Sequence, residues 1–226
     1  MPRSAKRLGL TVPDYAAIRQ DAETETRNEL GAIARPDDRI ERAAHIIRQA
    51  DAEIALYAED RNRAIASLYF HDLYEGAYLG QLAGVGPKNA VREILSKAIH
   101  GDAKKPPPPR MTDAELQAFA KRMNLPHLPE KPHLEPGETE DREAARARQE
   151  TTLGHALRAA GEIIEAAKAR RKVAVVFMRD AALALSEEPY GWDGPKIAEH
   201  AGVGKKLIWQ QQATARAARE RARKQR

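Results

Sequence analysis

Two groups of side chains in this 226-residue chain have types and spacing that chemistry can use. The first is Lys88, Asn89, Arg92 and Lys97; the second is Lys205, Lys206, Gln210, Arg216, Arg219 and Arg223. In each group the residues fall off the apolar face of the helix that the surrounding sequence predicts. An Asn amide can bond an adenine edge bidentately and an Arg guanidinium a guanine edge, while Lys and Arg neutralise phosphates. Taken one at a time, the same residues would serve equally well as solvated helix surface. The chain closes on a run of cations: residues 205–226 hold eight Lys or Arg and one Glu, a net +7. Such a density would make binding to a polyanion steeply salt-dependent. The plainer reading, a solubilising tail, is weakened because the run continues the helix that carries the second group.

Other chemistries find little support. There is no cysteine, which excludes a disulfide framework, a thiolate zinc site and a Cys nucleophile. The seven histidines (45, 71, 100, 127, 133, 155 and 200) show no metal-ligand spacing, and the nearness of His127 to His133 is best read as chance. GVGPKN and GVGKK lack the length and the Lys-Ser/Thr ending of a phosphate loop. No nucleophile–base arrangement or marked carboxylate pair argues for an enzyme, and no cofactor or metal is expected.

The elements that must position the two groups read as helices. Charged residues make up 31 % of the chain and aromatics 5 %, and helix formers dominate, so an all-α fold is expected. A polar helix spans Asp14 to about Leu30 and breaks before Pro36. Asp37 or Asp38 then caps a long segment with Ile40, Ala43, Ala44, Ile47, Ile54 and Ala58 on one face, continuing through Ala64, Ile65, Leu68 and Tyr69. Pro106 to Pro109 form a stiff spacer, Thr112 and Glu115 a capping box, and Pro126, Pro129, Pro132 and Pro136 forbid a long helix. The second half again places Leu153, Ala156, Leu157, Ala160, Ile163, Ile164 and Ala167 at helical spacing. Residues 173–185 are β-branched enough to pass for a strand, but their length and flanks favour a buried helix.

The chain also matches itself. At an offset of 118 residues, 61–88 overlies 179–206 without a gap, and nine of the 28 positions are identical, among them AGVG at 83–86 and 201–204. We read this as an internal duplication. Each copy specifies a helix, a turn with Gly76 or Gly194, a short helix, Gly-Val-Gly and a further helix. In the second copy Asp193 can cap the short helix, Pro195 suits its first turn, and Trp192 can staple against Ile197. Trp209 aligns with apolar Val91, which predicts a core or interface residue in preference to a base contact.

The repeated block resembles the helix-turn-helix superfamily of DNA-binding domains. Ala198, Gly202, Val203 and Ile208 meet that pattern at its spacing. Gly84 and Val85 match in the first copy, where Gly80 replaces the usual Ala and Ala90 stands where a larger apolar residue is expected. The apolar face there follows Val91, Ile94, Leu95 and Ala98, which leaves that helix's rotation open by one residue. The resemblance covers about 20 residues per copy, or about 35 with the preceding helix, and is similar to sigma-factor region 4 and small actinobacterial regulators. It implies a mainly three-helix core in each half, with the second helix of each corner entering a major groove.

The expected organisation is an arm at 1–37, a first helix-turn-helix domain at 38–101, a Pro-rich linker with one short helix at 102–147, and a second domain with its basic tail at 148–226. The expected function is sequence-specific binding of double-stranded DNA at a bipartite site, as a transcriptional regulator; a homodimer would extend the site to an inverted repeat. Two alternatives stay open: an architectural, nucleoid-associated or plasmid-segregation DNA-binding protein, and a protein–protein adaptor of the transcription machinery. No apolar run approaches the roughly 18 residues of a membrane span, and the basic first residues lack the apolar stretch of a signal peptide. These features lead us to expect a cytoplasmic chain without a membrane partner. Abundant Ala, Arg and Gly point to a G+C-rich genome such as an actinobacterium's.

Overall fold

The computed structural model describes residues 8–72, 74–86, 88–107, 112–123, 135, 137 and 140–224, and of Lys88, Asn89, Asp113 and Met123 it describes the backbone alone. The described residues form eight helices and no extended strand: α1 (Tyr15–Ala32), α2 (Pro36–Phe70), α3 (Gly76–Leu82), α4 (Lys88–His100), α5 (Asp113–Met123), α6 (Arg142–Ser186), α7 (Gly194–Ala201) and α8 (Lys205–Lys224). None of these helices is long and apolar enough to cross a membrane. The ambiguous stretch 173–185 is helical within α6, and Val173, Ala174, Met178, Ala181, Ala182, Leu183 and Leu185 are buried there.

The helix ends follow local chemistry. Proline at the first position of α2 needs no backbone donor, and Asp37 and Asp38 lie inside its first turn instead of capping it. The Arg35 guanidinium beside Asp37 holds that carboxyl below its usual range. Thr112 and Glu115 form the expected capping box: the Thr112 amide donates to Oε2 of Glu115 at 2.7 Å, and the Glu115 amide to Oγ1 of Thr112 at 3.4 Å. At the start of α6, Oδ1 of Asp141 accepts from the Ala144 amide at 2.6 Å.

The chain forms two compact units, and each is built from two stretches of sequence. The first comprises the described residues of Met1–Tyr15 and Ala55–Ile164; the second comprises Ala16–Ile54 and Glu165–Arg226. These boundaries differ from the sequential halves that the sequence suggests. The 35 residues of α2 are shared: Ile40, Ala43, Ala44 and Ile46 belong to the second unit's core, and Ile65, Leu68 and Phe70 to the first. The 45 residues of α6 are shared likewise, Leu157 going to the first core and Ala174, Met178, Ala182 and Leu185 to the second. Helical periodicity tells which face of a helix is apolar, but it does not say which neighbour covers that face.

In the first unit these residues surround Tyr74, Tyr78, Leu79, Leu82, Val91, Leu95 and Ile99. Leu116 of α5 is buried there too, so the short helix of the expected linker is part of this unit's core. Pro106 and Pro107 are non-helical; Pro108, Pro109, Pro126, Pro129, Pro132, Pro136, His127 and His133 lie outside the described residues. In the second unit the core joins α1 and the first half of α2 to the end of α6, α7 and α8 through Leu30, Ile40, Met178, Leu185, Ile197 and Ile208.

Candidate nucleic-acid interface

Both AGVG segments form corners between two helices. Gly202 terminates α7 at φ 63° and ψ 40°, and Gly84 follows α3 at φ 61°. This left-handed conformation costs an L side chain about 1–2 kcal/mol, so glycine is the favoured residue at both positions. The hydrogen bonds of the two corners correspond. The Gly84 amide donates to Gln81 O at 3.3 Å and the Val85 amide to Gly80 O at 2.9 Å; the Gly202 amide donates to Glu199 O at 3.1 Å and the Val203 amide to Ala198 O at 3.0 Å.

Past the corner the correspondence slips by one residue. The left-handed glycines are 118 apart in number, but the buried residues Val91 and Leu95 of α4 match Ile208 and Gln212 of α8 at a separation of 117. One residue is about 100° of rotation on a helix, so the ungapped alignment pairs the wrong faces. On the structural register Ile208 matches Val91, both buried, and Trp209 matches Arg92, both exposed. Trp209 is 58 % exposed and so is not a core residue of its unit. Gly80 is also explained: a Cβ there would meet Cγ2 of Val91 at 2.6 Å.

In the second corner, Oδ1 of Asp193 accepts from the Lys196 amide at 2.9 Å, and Pro195 sits in the first turn of α7, as its sequence predicts. Trp192 packs partly buried against the cluster that contains Ile197, and Lys196 Nζ lies 4.3 Å from the centre of its ring. From α2, Nη1 of Arg48 donates to Ala201 O at 3.0 Å, and Nε2 of His200 lies 3.2 Å from Asp37 O. The arginine places a cation at the carbonyl end of α7, where the helix dipole favours it.

From this corner α8 presents its candidate residues to solvent. It buries only Ile208, Gln212 and Ala215, with Nε2 of Gln212 donating to Ala182 O at 3.3 Å. Lys205, Lys206, Gln210, Arg216, Arg219 and Arg223 are all exposed, as are Arg221 and Lys224, which were not singled out in the sequence. Among the described residues, Lys205, Lys206, Arg216, Arg221, Arg223 and Lys224 stand beyond ion-pair reach of any carboxylate, whereas Nη1 of Arg219 pairs with Oε1 of Glu187 at 2.7 Å. The other basic run of this unit is neutralised within it. Lys168 pairs with Glu165 at 2.7 Å, Arg171 with Asp51 at 2.6 Å and Lys172 with Glu23 at 2.7 Å, and Arg170 pairs with Glu53. Of the unit's nine described cations beyond ion-pair reach of a carboxylate, six therefore lie on α8, the others being Arg39, Arg48 and Lys196.

The first corner differs. α4 buries Val91, Leu95, Ser96 and Ile99, and Ile94 and Ala98 are partly covered, so core surrounds much of its circumference. Arg92 and Lys97 are exposed with Glu93 on the same open side, while the side chains of Lys88 and Asn89 lie outside the described residues. The loop before α3 is anchored by a buried polar cluster. Arg146 pairs with Asp72 and lies 3.5 Å from Glu150, and the Tyr74 hydroxyl donates to Glu150. Burial, reinforced by the hydrogen bond to Glu150, pushes the Tyr74 phenol well above its usual range.

Among the described residues no group of three or more His, Asp or Glu side chains is arranged to hold a metal ion. No protein-family model matches the chain, and neither a curated protein nor a solved structure is significantly similar to it.

Proposed function

We propose that this chain is a sequence-specific double-stranded DNA-binding protein of the helix-turn-helix kind, a cytoplasmic and nucleoid-associated transcriptional regulator that binds without catalysis. The observation that carries the reading is α8: a 20-residue helix leaving a left-handed glycine corner, with its apolar face buried and its cations and Gln210 facing solvent. A rod of that diameter enters a major groove about 12 Å wide, and its cations release counterions from phosphates. The matching corner hydrogen bonds support the internal duplication, hence the tandem arrangement and a bipartite site. Arg92 and Lys97 are the described side chains that α4 would bring to the second half of that site.

Footprinting at physiological salt with excess competitor DNA tests the reading. Protection confined to defined sites is expected; uniform coverage would reject sequence-specific reading. The architectural alternative draws on the last turns of α8, where Arg216, Arg221, Arg223 and Lys224 could hold phosphates of any sequence. The adaptor alternative draws on the embedded α4, whose solvent face is small. Lys205→Ala combined with Lys206→Ala separates binding to DNA from adaptor action: we expect affinity for DNA to fall with thermal stability unchanged, and unchanged affinity would favour the adaptor.

A further inference from the structure

Trp209 stands on the outer side of α8, 58 % exposed, on a helix otherwise rich in charge. Lys205 lies one turn before it, Ala213 one turn after and Arg216 two turns after, so an aromatic surface is set between cations along one strip. The ring is also oriented. A Cβ built on Gly194 would meet Nε1 of Trp209 at 2.5 Å, Cδ1 at 3.0 Å and Cε2 at 3.6 Å. The pyrrole edge, which holds the only polar atom of the indole, thus faces the bare backbone at the start of α7. The six-membered carbon ring is turned away from it. A strip of this kind offers a polyanion phosphate contacts at its cations and a purely apolar contact between them. Among the base edges of the major groove, the C5 methyl of thymine is the distinctive apolar group.

We propose that Trp209 is a specificity-determining residue that packs its six-membered ring against thymine methyl groups in the major groove. The inference rests on the duplex-binding reading above and adds the base it selects. Cations alone would grip any sequence; the indole makes α8 prefer sites with thymine opposite this turn.

The test uses the full-length protein and a duplex site obtained by selection from random sequences. Replacing thymine with deoxyuridine removes one methyl group and leaves every hydrogen bond in place. At one or more positions the unaltered protein should lose about fourfold in affinity, as expected for burying one methyl group. Trp209→Ala and Trp209→Gln should bind the thymine and deoxyuridine duplexes equally. Adding duplex should also change the tryptophan emission of the unaltered protein but not that of Trp209→Phe, whose signal comes from Trp192. Equal affinity of the unaltered protein for both duplexes at every position overturns the inference. If Lys205→Ala with Lys206→Ala still weakens binding in that case, the duplex-binding reading survives and Trp209 alone is wrongly assigned. If the lysine substitutions are also silent, both fall together.

Discussion

The indole of Trp209 rests on Gly194, and a methyl group at position 194 would come within 2.5 Å of Nε1. The obstacle is a side chain and not backbone, so the ring can move aside. Gly194→Ala should therefore change stability by less than about 0.5 kcal/mol while displacing the indole. The measurements are a thermal melt and a tryptophan emission spectrum. An unmoved spectrum would show that the ring is held by something other than this contact.

The two corners should contribute unequally. Each phosphate contact adds on the order of 0.9 to the slope of log affinity against log salt. Lys205→Ala with Lys206→Ala should flatten that slope by about 1.8 and weaken binding at least tenfold at low salt. Arg92→Ala with Lys97→Ala, on the embedded α4, should cost less than about threefold, since core covers most of that helix. A salt titration of both variants decides; the reverse order would make α4 the main reading helix.

Removing Arg146 should unfold the first unit more readily than any surface change. Asp72 and Glu150 are 2 % and 11 % exposed at their side chains, and the Arg146 guanidinium reaches both. Arg146→Met would leave both carboxylates buried without it, a loss of about 3–5 kcal/mol in urea unfolding. A cost under about 1 kcal/mol would mean that water reaches the cluster.

Stability should fall at both ends of the pH scale for different reasons. The Tyr74 phenol is raised from 10.0, so the folded state holds its proton after the unfolded chain has lost it. Its contribution is complete below pH 10 and is lost as pH climbs beyond that value. Burial works to raise the Glu165 carboxyl, but hydrogen bonds from Lys168 and Arg19 outweigh it and leave the group below its ordinary 4.5. That contribution is present above pH 4.5 and is lost as pH falls. Tyr74→Phe should flatten the alkaline limb of a stability profile and Glu165→Gln the acid limb, each leaving the other limb in place.

Much of the architecture was legible in the sequence because it depends on short-range physics. The apolar spacing of α2 and α6, the capping box at Thr112, the N-cap at Asp193, the break at Pro36 and the two left-handed glycines involve residues within about a turn of one another. The exposure of Lys205, Lys206, Gln210, Arg216 and Arg223 followed from the same periodicity. Tertiary structure alone decided which core each half of a long helix would serve, because an apolar face is complementary to any other apolar face of similar size. It also decided how α4 and α8 are turned. The buried faces of the two helices correspond at an offset one residue shorter than that of the corner glycines, and that single step separates the buried Val91 from the exposed Trp209.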